Sequence, residues 1–322
     1  MISNVKEKLS AFFGKIGTGI KNFKDRKKKQ GSGKTKDRSV LFNVVSIIWL
    51  LLFSLTLLMP FYVIIITSFT PRLEIMSSMQ FIWWPKEFSF QAYTEAFTND
   101  LAFTLESHSN MIILGFFNTL WQTIPTVIVG LFFSGLSAYA FCRMEFPARN
   151  VLFYVTLATM IIPTGCLAVT SYLMYDKLGW TGSPLPIIIP GLFGSAGTMF
   201  FLKQFYSGVP KELFEAGKLD GMSHIQLYIR IMLPLTVPAM LAQFIFGFVG
   251  GYNNYQGPLL YLNGIEELYP MQLVMSNLQK QFNLLGTPVI CAFAVLGLLP
   301  LIIVFLICQK FFIQGVAVTG LK

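Results

Sequence analysis

Charged and metal-binding residues are scarce in this sequence of 322 residues. Asp, Glu, Lys and Arg together make up 12%, and there are only two histidines and four cysteines. The cysteines, at 142, 166, 291 and 308, lack the paired spacing of a disulfide framework or a zinc site. No acid, base and nucleophile can be grouped along the chain, so we expect no catalytic residue, no bound cofactor and no metal. The scarcity argues against a membrane enzyme.

Six stretches of the chain lack Asp, Glu, Lys and Arg altogether. Their bounds are 39–71, 107–142, 150–175, 178–202, 231–265 and 281–309. The shortest has 25 residues, and a helix needs about 20 to cross the hydrocarbon core. Hydrophobic residues make up 54% of the chain, and the mean hydropathy is +0.62. We therefore predict an all-α integral membrane protein with six transmembrane helices. An ion-coupled carrier is disfavoured because it needs ionisable groups at the bilayer midplane.

Lysine and arginine are distributed unevenly between the two sides of the predicted membrane domain. If the N-terminus lies inside, 20 of the 24 basic residues fall on cytoplasmic segments and 4 on external ones. This positive-inside pattern predicts a multi-pass protein of the cell membrane with both termini in the cytoplasm. Residues 1–38 carry 12 basic and 3 acidic residues, so we predict a basic tail before a six-helix domain at 39–322. The anionic inner leaflet, rather than nucleic acid, is the expected partner of this tail.

The tail contains two patterns that need interpretation. Apolar residues between Val5 and Phe23 recur at helical spacing with lysines between them, which favours an interfacial amphipathic helix, although the glycines there fit partial disorder equally well. The segment from Gly31 to Thr35 looks like part of a phosphate-binding loop. Lys28 stands where that loop requires glycine, and no buried strand precedes it, so we predict a flexible linker that binds no nucleotide.

A polar island at 210–234 separates two of the long apolar segments. From Glu212 to Asp220, apolar and charged residues follow the spacing of an amphipathic helix, and Gly221 is a natural stop for it. A second short helix is predicted at 223–230. An ordinary surface loop is the alternative to this interpretation.

The small residues of this island point to a contact with another protein. Ala216, Gly217 and Gly221 would leave the backbone bare on one side, which suits a helix that lies in a partner's groove. The order Glu215-Ala216-Gly217, then Gly221, then Pro234 resembles the EAA loop of permease subunits in binding-protein-dependent ABC importers. Permeases of that family have alanine where Gly217 stands.

The resemblance implies an ABC type I importer permease fold in which this loop forms a coupling helix seated on a cytoplasmic ATPase. It also implies four partners: a second homologous permease subunit and two ATPase subunits that bind ATP and Mg²⁺, with an external solute-binding protein. The chain itself would be a transporter subunit and not an enzyme. The residues that would couple it to the ATPase are Glu212, Glu215, Ala216, Gly217, Asp220 and Gly221.

The predicted external segment indicates which class of solute is transported. Phe81-Ile82-Trp83-Trp84-Pro85-Lys86, followed by Tyr93 and Phe97, resembles the same segment in sugar-type permeases of the maltose and multiple-sugar family. The resemblance therefore favours a sugar or oligosaccharide as substrate. A permease of the same machinery for a peptide or a polyamine is the main alternative.

Four hydrogen-bonding side chains crowd the end of the predicted fifth crossing. They are Tyr252, Asn253, Asn254 and Gln256. Amides bind hydroxyls and tyrosine rings stack on sugars, so we predict that this cluster borders the substrate path. Bonding to neighbouring helices is the alternative, because buried amides need partners in either case. The family often has an acid where Asn254 stands, so that contact is not carried over.

Helix-breaking and small residues mark two of the other crossings. Gly115, Gly130 and Gly135 in the second crossing predict close contact with neighbouring helices. In the third crossing, about 151–173, Pro163-Thr164-Gly165 predicts a kink. Such a break is tolerated in a membrane only where it faces protein or a cavity.

Overall fold

The structure is a computed structural model that describes residues 40–78, 81–98, 102–104, 107–262, 264–281 and 286–319. The predicted basic tail, with its interfacial helix and its glycine-lysine segment, lies outside the described residues. Contacts between Cα atoms divide the chain into two units, residues 1–59 and residues 60–322. The boundary falls inside the first helix, directly before Pro60.

The fold of the described residues is helical, with one isolated β-bridge between Phe103 and Asn110. Short 3₁₀ segments occur at Thr164–Leu167 and Glu266–Leu268, and a π-helix at Tyr228–Met232. The α-helices are α1 (Val40–Ser68), α2 (Arg72–Ser77), α3 (Gln91–Thr98), α4 (Met111–Arg143), α5 (Arg149–Thr159), α6 (Ala168–Lys177), α7 (Leu185–Leu192), α8 (Ala196–Ser207), α9 (Glu212–Leu219), α10 (His224–Leu227), α11 (Leu233–Leu235), α12 (Val237–Tyr252), α13 (Gln256–Tyr261), α14 (Met271–Gln281) and α15 (Thr287–Thr319).

The described part of the first unit is the beginning of α1, an apolar helix with exposed side chains. The serine and threonine hydroxyls of this part do not need water as a hydrogen-bond partner. Ser46, Ser54 and Thr56 each donate to the backbone carbonyl four residues earlier, at 2.7 to 3.0 Å. A helix that satisfies its own polar groups in this way is suited to a lipid environment.

Helix α4 is the centre of the second unit and contacts α7, α8, α12 and α14. It begins at Asn110, whose Oδ1 accepts from the backbone N–H groups of Ile112 and Ile113. Its small residues permit close approach, as predicted: Gly130 lies against the Gly191 backbone on α7, and Gly115 lies against α14.

Two apolar clusters occupy opposite ends of α4. The first is built around Met111 and includes Phe248 and Tyr252 of α12 with Phe293 of α15. The second surrounds Tyr139 near the other end of α4. Its buried members, besides Tyr139 and two alanines, are Met199, Leu202, Tyr206, Phe214, Leu227, Tyr228 and Met232. The segment at 210–234 is therefore attached to the membrane helices through this second cluster.

Four segments of the described residues are long and apolar enough to cross a membrane. They are Phe42–Ser68, Met111–Arg143, Leu185–Ser207 and Thr287–Gln309. A fifth span results if His224–Leu235 and Val237–Tyr252, which meet at an angle of 84°, are taken together. The fold is that of a multi-pass membrane protein, and the count of six stays a prediction.

The predicted third crossing differs from its expected form because the helix stops instead of bending. Helix α5 ends at Thr159, four residues before Pro163, and α6 begins only at Ala168. Each piece is too short to cross a membrane by itself. Ile161, inside the break, is 80% exposed.

Proline alone does not explain this break. Pro60, Pro125 and Pro300 all lie inside continuous helices. Pro163 is followed two residues later by Gly165, and glycine costs about 1 kcal/mol relative to alanine in a helix interior. Proline also removes an amide donor and disfavours helical geometry in the residue before it. The two effects together end the helix.

Candidate functional site

Helix α9 presents most of its surface to solvent. Glu212, Glu215 and Ala216 are exposed along it, and Asp220 and Gly221 are exposed just beyond it. Leu219 is 90% exposed at the end of the helix. Acidic residues lie in the first turn and Lys218 in the last, so the side-chain charges complement the helix dipole. The helix therefore has favourable charges at both ends and an exposed apolar side chain that a partner could contact.

Gly221 ends α9 by adopting a left-handed backbone, with φ of +76°. The N–H of Gly221 donates to the carbonyl of Lys218, and that of Met222 donates to the carbonyl of Gly217, both at 3.0 Å. This is the hydrogen-bond pattern of a Schellman motif. Because glycine adopts φ above zero without steric cost, Gly221 sets the direction in which the chain leaves α9.

Helix α10 follows directly and has its own capping box. The Ser223 hydroxyl accepts from the backbone N–H of Gln226 at 3.3 Å, and the Gln226 side chain accepts from the backbone N–H of Ser223 at 2.9 Å. Reciprocal capping of this kind fixes the start of a helix. The turn between α9 and α10 is therefore defined on both sides.

Gly217 lies on the inner face of α9, which differs from the predicted bare surface. A Cβ atom at this position would lie 2.5 Å from Leu227 Cδ2 and 3.1 Å from Ile231 Cδ1. The absent side chain allows α9 to approach α10 closely. Gly217 is therefore a packing residue of this segment, while Ala216 and Gly221 remain on the surface.

Arg143, the last residue of α4, connects that helix to the polar segment. Its guanidinium donates to the carbonyl of Tyr206 at 2.8 Å and to that of Val209. It also lies over the Phe214 ring, with Cζ 4.7 Å from the centroid. The Nε–H is buried and has no acceptor among the described residues.

The predicted cluster at the end of α12 is not brought together at one site. Tyr252 is 3% exposed within the first apolar cluster, and its hydroxyl donates to the carbonyl of Gly297 at 2.7 Å. Asn253 is exposed; its amide donates to the Val249 carbonyl, and its Oδ1 accepts from Gln272 at 2.9 Å. These contacts join α12 to α15 and α14. They fit the helix-contact alternative.

The other two residues of the cluster differ from each other in position. Asn254 Oδ1 accepts from the backbone N–H of Gly257 at 3.2 Å, in the first turn of α13, and the residue also lines a cavity. Gln256 is exposed in the first turn of α13. Asn254 is therefore the residue of the predicted cluster that lines one of the two cavities between α4, α7, α8 and α12.

Two cavities of about 150 Å³ each lie between α4, α7, α8 and α12. They share Thr126, Val127 and Gly247, so they adjoin one another along α4. We call the pair the polar groove, defined by the hydroxyl and amide residues that line it: Gln122, Thr123, Thr126, Ser134, Ser195, Thr198, Gln243 and Asn254.

Within the polar groove, some polar side chains are hydrogen-bonded to other residues of the chain and others are not. Gln122 donates to the Leu268 carbonyl at 3.0 Å, Thr126 to the Gln122 carbonyl at 2.6 Å, and Ser134 accepts from the Ser195 N–H at 3.0 Å. The Gln243 side chain makes no hydrogen bond to any residue that the structure describes. Gln243 is therefore free to bind a molecule in the groove.

Apart from Asn254, sequence reasoning did not single out these groove residues. Gln122, Thr123 and Thr126 stand in a charge-free segment at positions that share one face of a helix. That recurrence, together with Gln243 in an otherwise apolar helix, is the signal that could have found them. The residues described contain no group of three or more His, Cys, Asp or Glu that could hold a metal ion.

Comparison with known proteins gives matches over most of the chain. A permease protein for arabinooligosaccharides transport from Bacillus subtilis, AraQ, is 27% identical over 287 residues, which is 88% of this chain and 96% of that protein. A polygalacturonan/rhamnogalacturonan permease protein from the same organism, YtcP, is 28% identical over 88% of this chain and 98% of its own length.

A similar fold occurs in the crystal structure of a bacterial ABC transporter involved in the import of the acidic polysaccharide alginate. One chain of it matches with a TM-score of 0.74 and 22% identity, over 87% of this chain and all of that one. The sequence profile described as binding-protein-dependent transport system inner membrane component matches residues 111–318, from the start of α4 to the end of α15. The chain therefore belongs to the family of inner membrane components of binding-protein-dependent transport systems.

Proposed function

We propose that this chain is a permease subunit of an ATP-driven importer that moves a sugar or oligosaccharide into the cytoplasm. The named substrates of similar permeases, arabinooligosaccharides and polygalacturonan/rhamnogalacturonan, support the solute class. The observation that carries the mode of action is α9, an exposed helix with a free apolar side chain at Leu219.

In this proposal α9 is the coupling helix. Two ATPase subunits bind ATP and Mg²⁺, and one of them receives α9 with Glu212, Glu215, Ala216, Asp220 and Gly221 at the contact. A second permease subunit pairs with this chain, and an external binding protein delivers the solute. Helices α5 and α6 together make the third of six crossings, and both termini lie in the cytoplasm. Closure of the ATPases then displaces α9 and swings the crossings between two orientations.

The polar groove is the proposed part of the solute path on this chain. Hydroxyl and amide groups replace the water that surrounds a sugar, and its apolar walls accommodate the faces of the ring. Gln243 supplies an unused donor and acceptor, and Asn254 lines one end. Exposed Asn253 and Gln256 stand near that end in sequence, while Tyr252 supports the helices behind it.

The function is tested by uptake into proteoliposomes. The chain is reconstituted with a second permease subunit, ATPase subunits and a binding protein from the same organism, and uptake of labelled mono- and oligosaccharides is compared with uptake of a peptide and a polyamine. ATP-dependent uptake of a saccharide is expected. Uptake of only the peptide or the polyamine would overturn the sugar assignment, and uptake without ATP would overturn the importer class.

A substitution in the groove should change the KM for uptake, whereas a substitution behind it should change the stability of the protein. Gln243→Leu removes one amide at similar size, and each lost hydrogen bond costs about 1 kcal/mol, so the KM for uptake should rise about fivefold. Asn253→Ala should raise KM less, since Asn253 already binds Gln272.

In Tyr252→Phe the Gly297 carbonyl loses the hydrogen bond from the Tyr252 hydroxyl, so the stability of the protein should fall by about 1 kcal/mol with KM unchanged. Thermal melting and uptake kinetics on one preparation separate the outcomes, and an unchanged KM in Gln243→Leu would contradict the path.

A further inference from the structure

Phe214 is the one buried side chain of helix α9. Of its eight residues, only Phe214 and Gly217 are buried. Gly217 has no side chain and allows contact with Leu227 and Ile231. A displacement of α9 can therefore act on the rest of the protein through the Phe214 ring, through the backbone contact at Gly217, or through the backbone at the two ends of the helix.

The Phe214 ring lies on the end of α4. Its centroid is 6.1 Å from that of Tyr139, and the Arg143 guanidinium lies 4.7 Å from it. Both are within the range in which aromatic pairs and cation–π pairs attract. The ring is 4% exposed, so water does not weaken the contact. Phe214 thus connects α9 to α4 directly.

The same guanidinium also holds α8 and the segment that leads into α9. Arg143 Nη2 donates to the Tyr206 carbonyl at 2.8 Å, in the last turn of α8, and to the Val209 carbonyl just beyond it. Carbonyls at a helix end have no partner within the helix, so an outside donor satisfies them. The planar guanidinium can make these bonds and stack on a ring at once, which lysine cannot.

We infer that Phe214 and Arg143 form the joint through which a displacement of α9 reaches α4 and α8 during transport. Both are positioning residues, since neither lines the polar groove and Phe214 is buried. The inference rests on the proposed role of α9 as the coupling helix. It adds which contact transmits the movement and to which membrane helices.

The joint predicts that substitutions will separate ATP hydrolysis from uptake. In Phe214→Ala the assembled complex should hydrolyse ATP within about twofold of the wild-type rate, while uptake per ATP falls at least tenfold. Phe214→Leu keeps an apolar side chain that fills the site but removes the ring face, and should uncouple similarly. Arg143→Lys keeps the charge but replaces the planar guanidinium and its fixed donor geometry with a compact ammonium, and should uncouple partly.

A matched control exists at a neighbouring contact of the same kind. Lys203 Nζ lies 4.2 Å from the Phe153 ring centroid, between α8 and α5, and the Phe153 ring pairs with Phe141 and Phe200, which are not residues of α9. Phe153→Ala should lower stability but leave uptake per ATP unchanged. The measurements are complex yield, ATP hydrolysis and saccharide uptake in proteoliposomes for each variant.

The outcomes distinguish the joint from a structural role and from a failure of the proposed function. If yield, hydrolysis and uptake fall in proportion in both Phe214→Leu and Arg143→Lys, the contact is only structural and the inference is overturned. Wild-type uptake per ATP in Phe214→Ala would also overturn it. If the wild-type complex neither binds ATPases nor shows ATP-dependent uptake, the proposed function fails, and the joint fails with it.

Discussion

Replacing Gly221 with valine is expected to reduce solute uptake strongly while the protein still folds in the membrane. The backbone φ of Gly221 is +76°, and no atom lies within 4 Å of the position that a Cβ would occupy. The penalty is therefore conformational and not steric crowding. A left-handed backbone costs an L-residue about 1–2 kcal/mol, and a β-branched residue is a particular outlier there. The chain should relax by changing the direction between α9 and α10.

That change of direction would misplace α9 relative to the ATPase. We expect uptake to fall about tenfold, because a strain of about 1.4 kcal/mol lowers the population of the native turn tenfold relative to the relaxed one, with the ATPase detached or uncoupled. Gly221→Asn is the matched control, since asparagine tolerates the left-handed region and should retain most activity. ATPase co-purification and uptake are measured together. Normal values of both in Gly221→Val would sink the coupling role of this turn.

Replacing Gly130 with alanine is expected to destabilise the membrane domain severely, although it adds one methyl group. The new Cβ would overlap the Gly191 carbonyl oxygen and lie 3.4 Å from Gly194 Cα. These are backbone atoms, so no side-chain rotation can relieve the overlap, and α4 and α7 would have to separate. Overpacking typically costs 1–3 kcal/mol and occasionally more, a large part of a stability of about 5–15 kcal/mol.

Gly250 supplies the control for this substitution. It also lies inside a membrane helix, α12, but nothing lies within 4 Å of its Cβ position. Gly250→Ala should therefore keep or slightly raise the melting temperature, because alanine is the better helix former. The yield of monodisperse protein and its melting temperature in detergent give the comparison. Equal stability of Gly130→Ala and the wild type would contradict the close approach of α4 and α7.

Hydropathy predicted the apolar spans well where one helix is continuous. Helices α1, α4 and α15 cover the first, second and last charge-free segments, as expected. The third segment is equally free of charged residues, yet it holds two short helices with a break before Pro163. The hydropathy of a segment indicates whether it can enter lipid. It does not show where proline and glycine together interrupt the backbone hydrogen bonds of a helix.

Residue type was a weaker guide to the direction in which a side chain points. Gly217 and Gly221 both looked like surface glycines, but only Gly221 is exposed, while Gly217 faces Leu227. Tyr252 and Asn254 both looked like groove residues, but Tyr252 turns into an apolar cluster. Two positions along a helix reverse the face that a side chain occupies, so a small shift in helix phase changes the role of a residue.

The sequence alone determined the membrane class, the charge asymmetry and the position of α9 with its stop at Gly221, because hydropathy, charge and left-handed glycine are local properties. Only the tertiary structure decided that Arg143 of α4 meets Phe214 and the end of α8, and that the groove forms between α4, α7, α8 and α12. These contacts join residues that lie more than 60 positions apart along the chain. Such long-range contacts depend on the angle at which two helices cross, and no local sequence pattern predicts that angle.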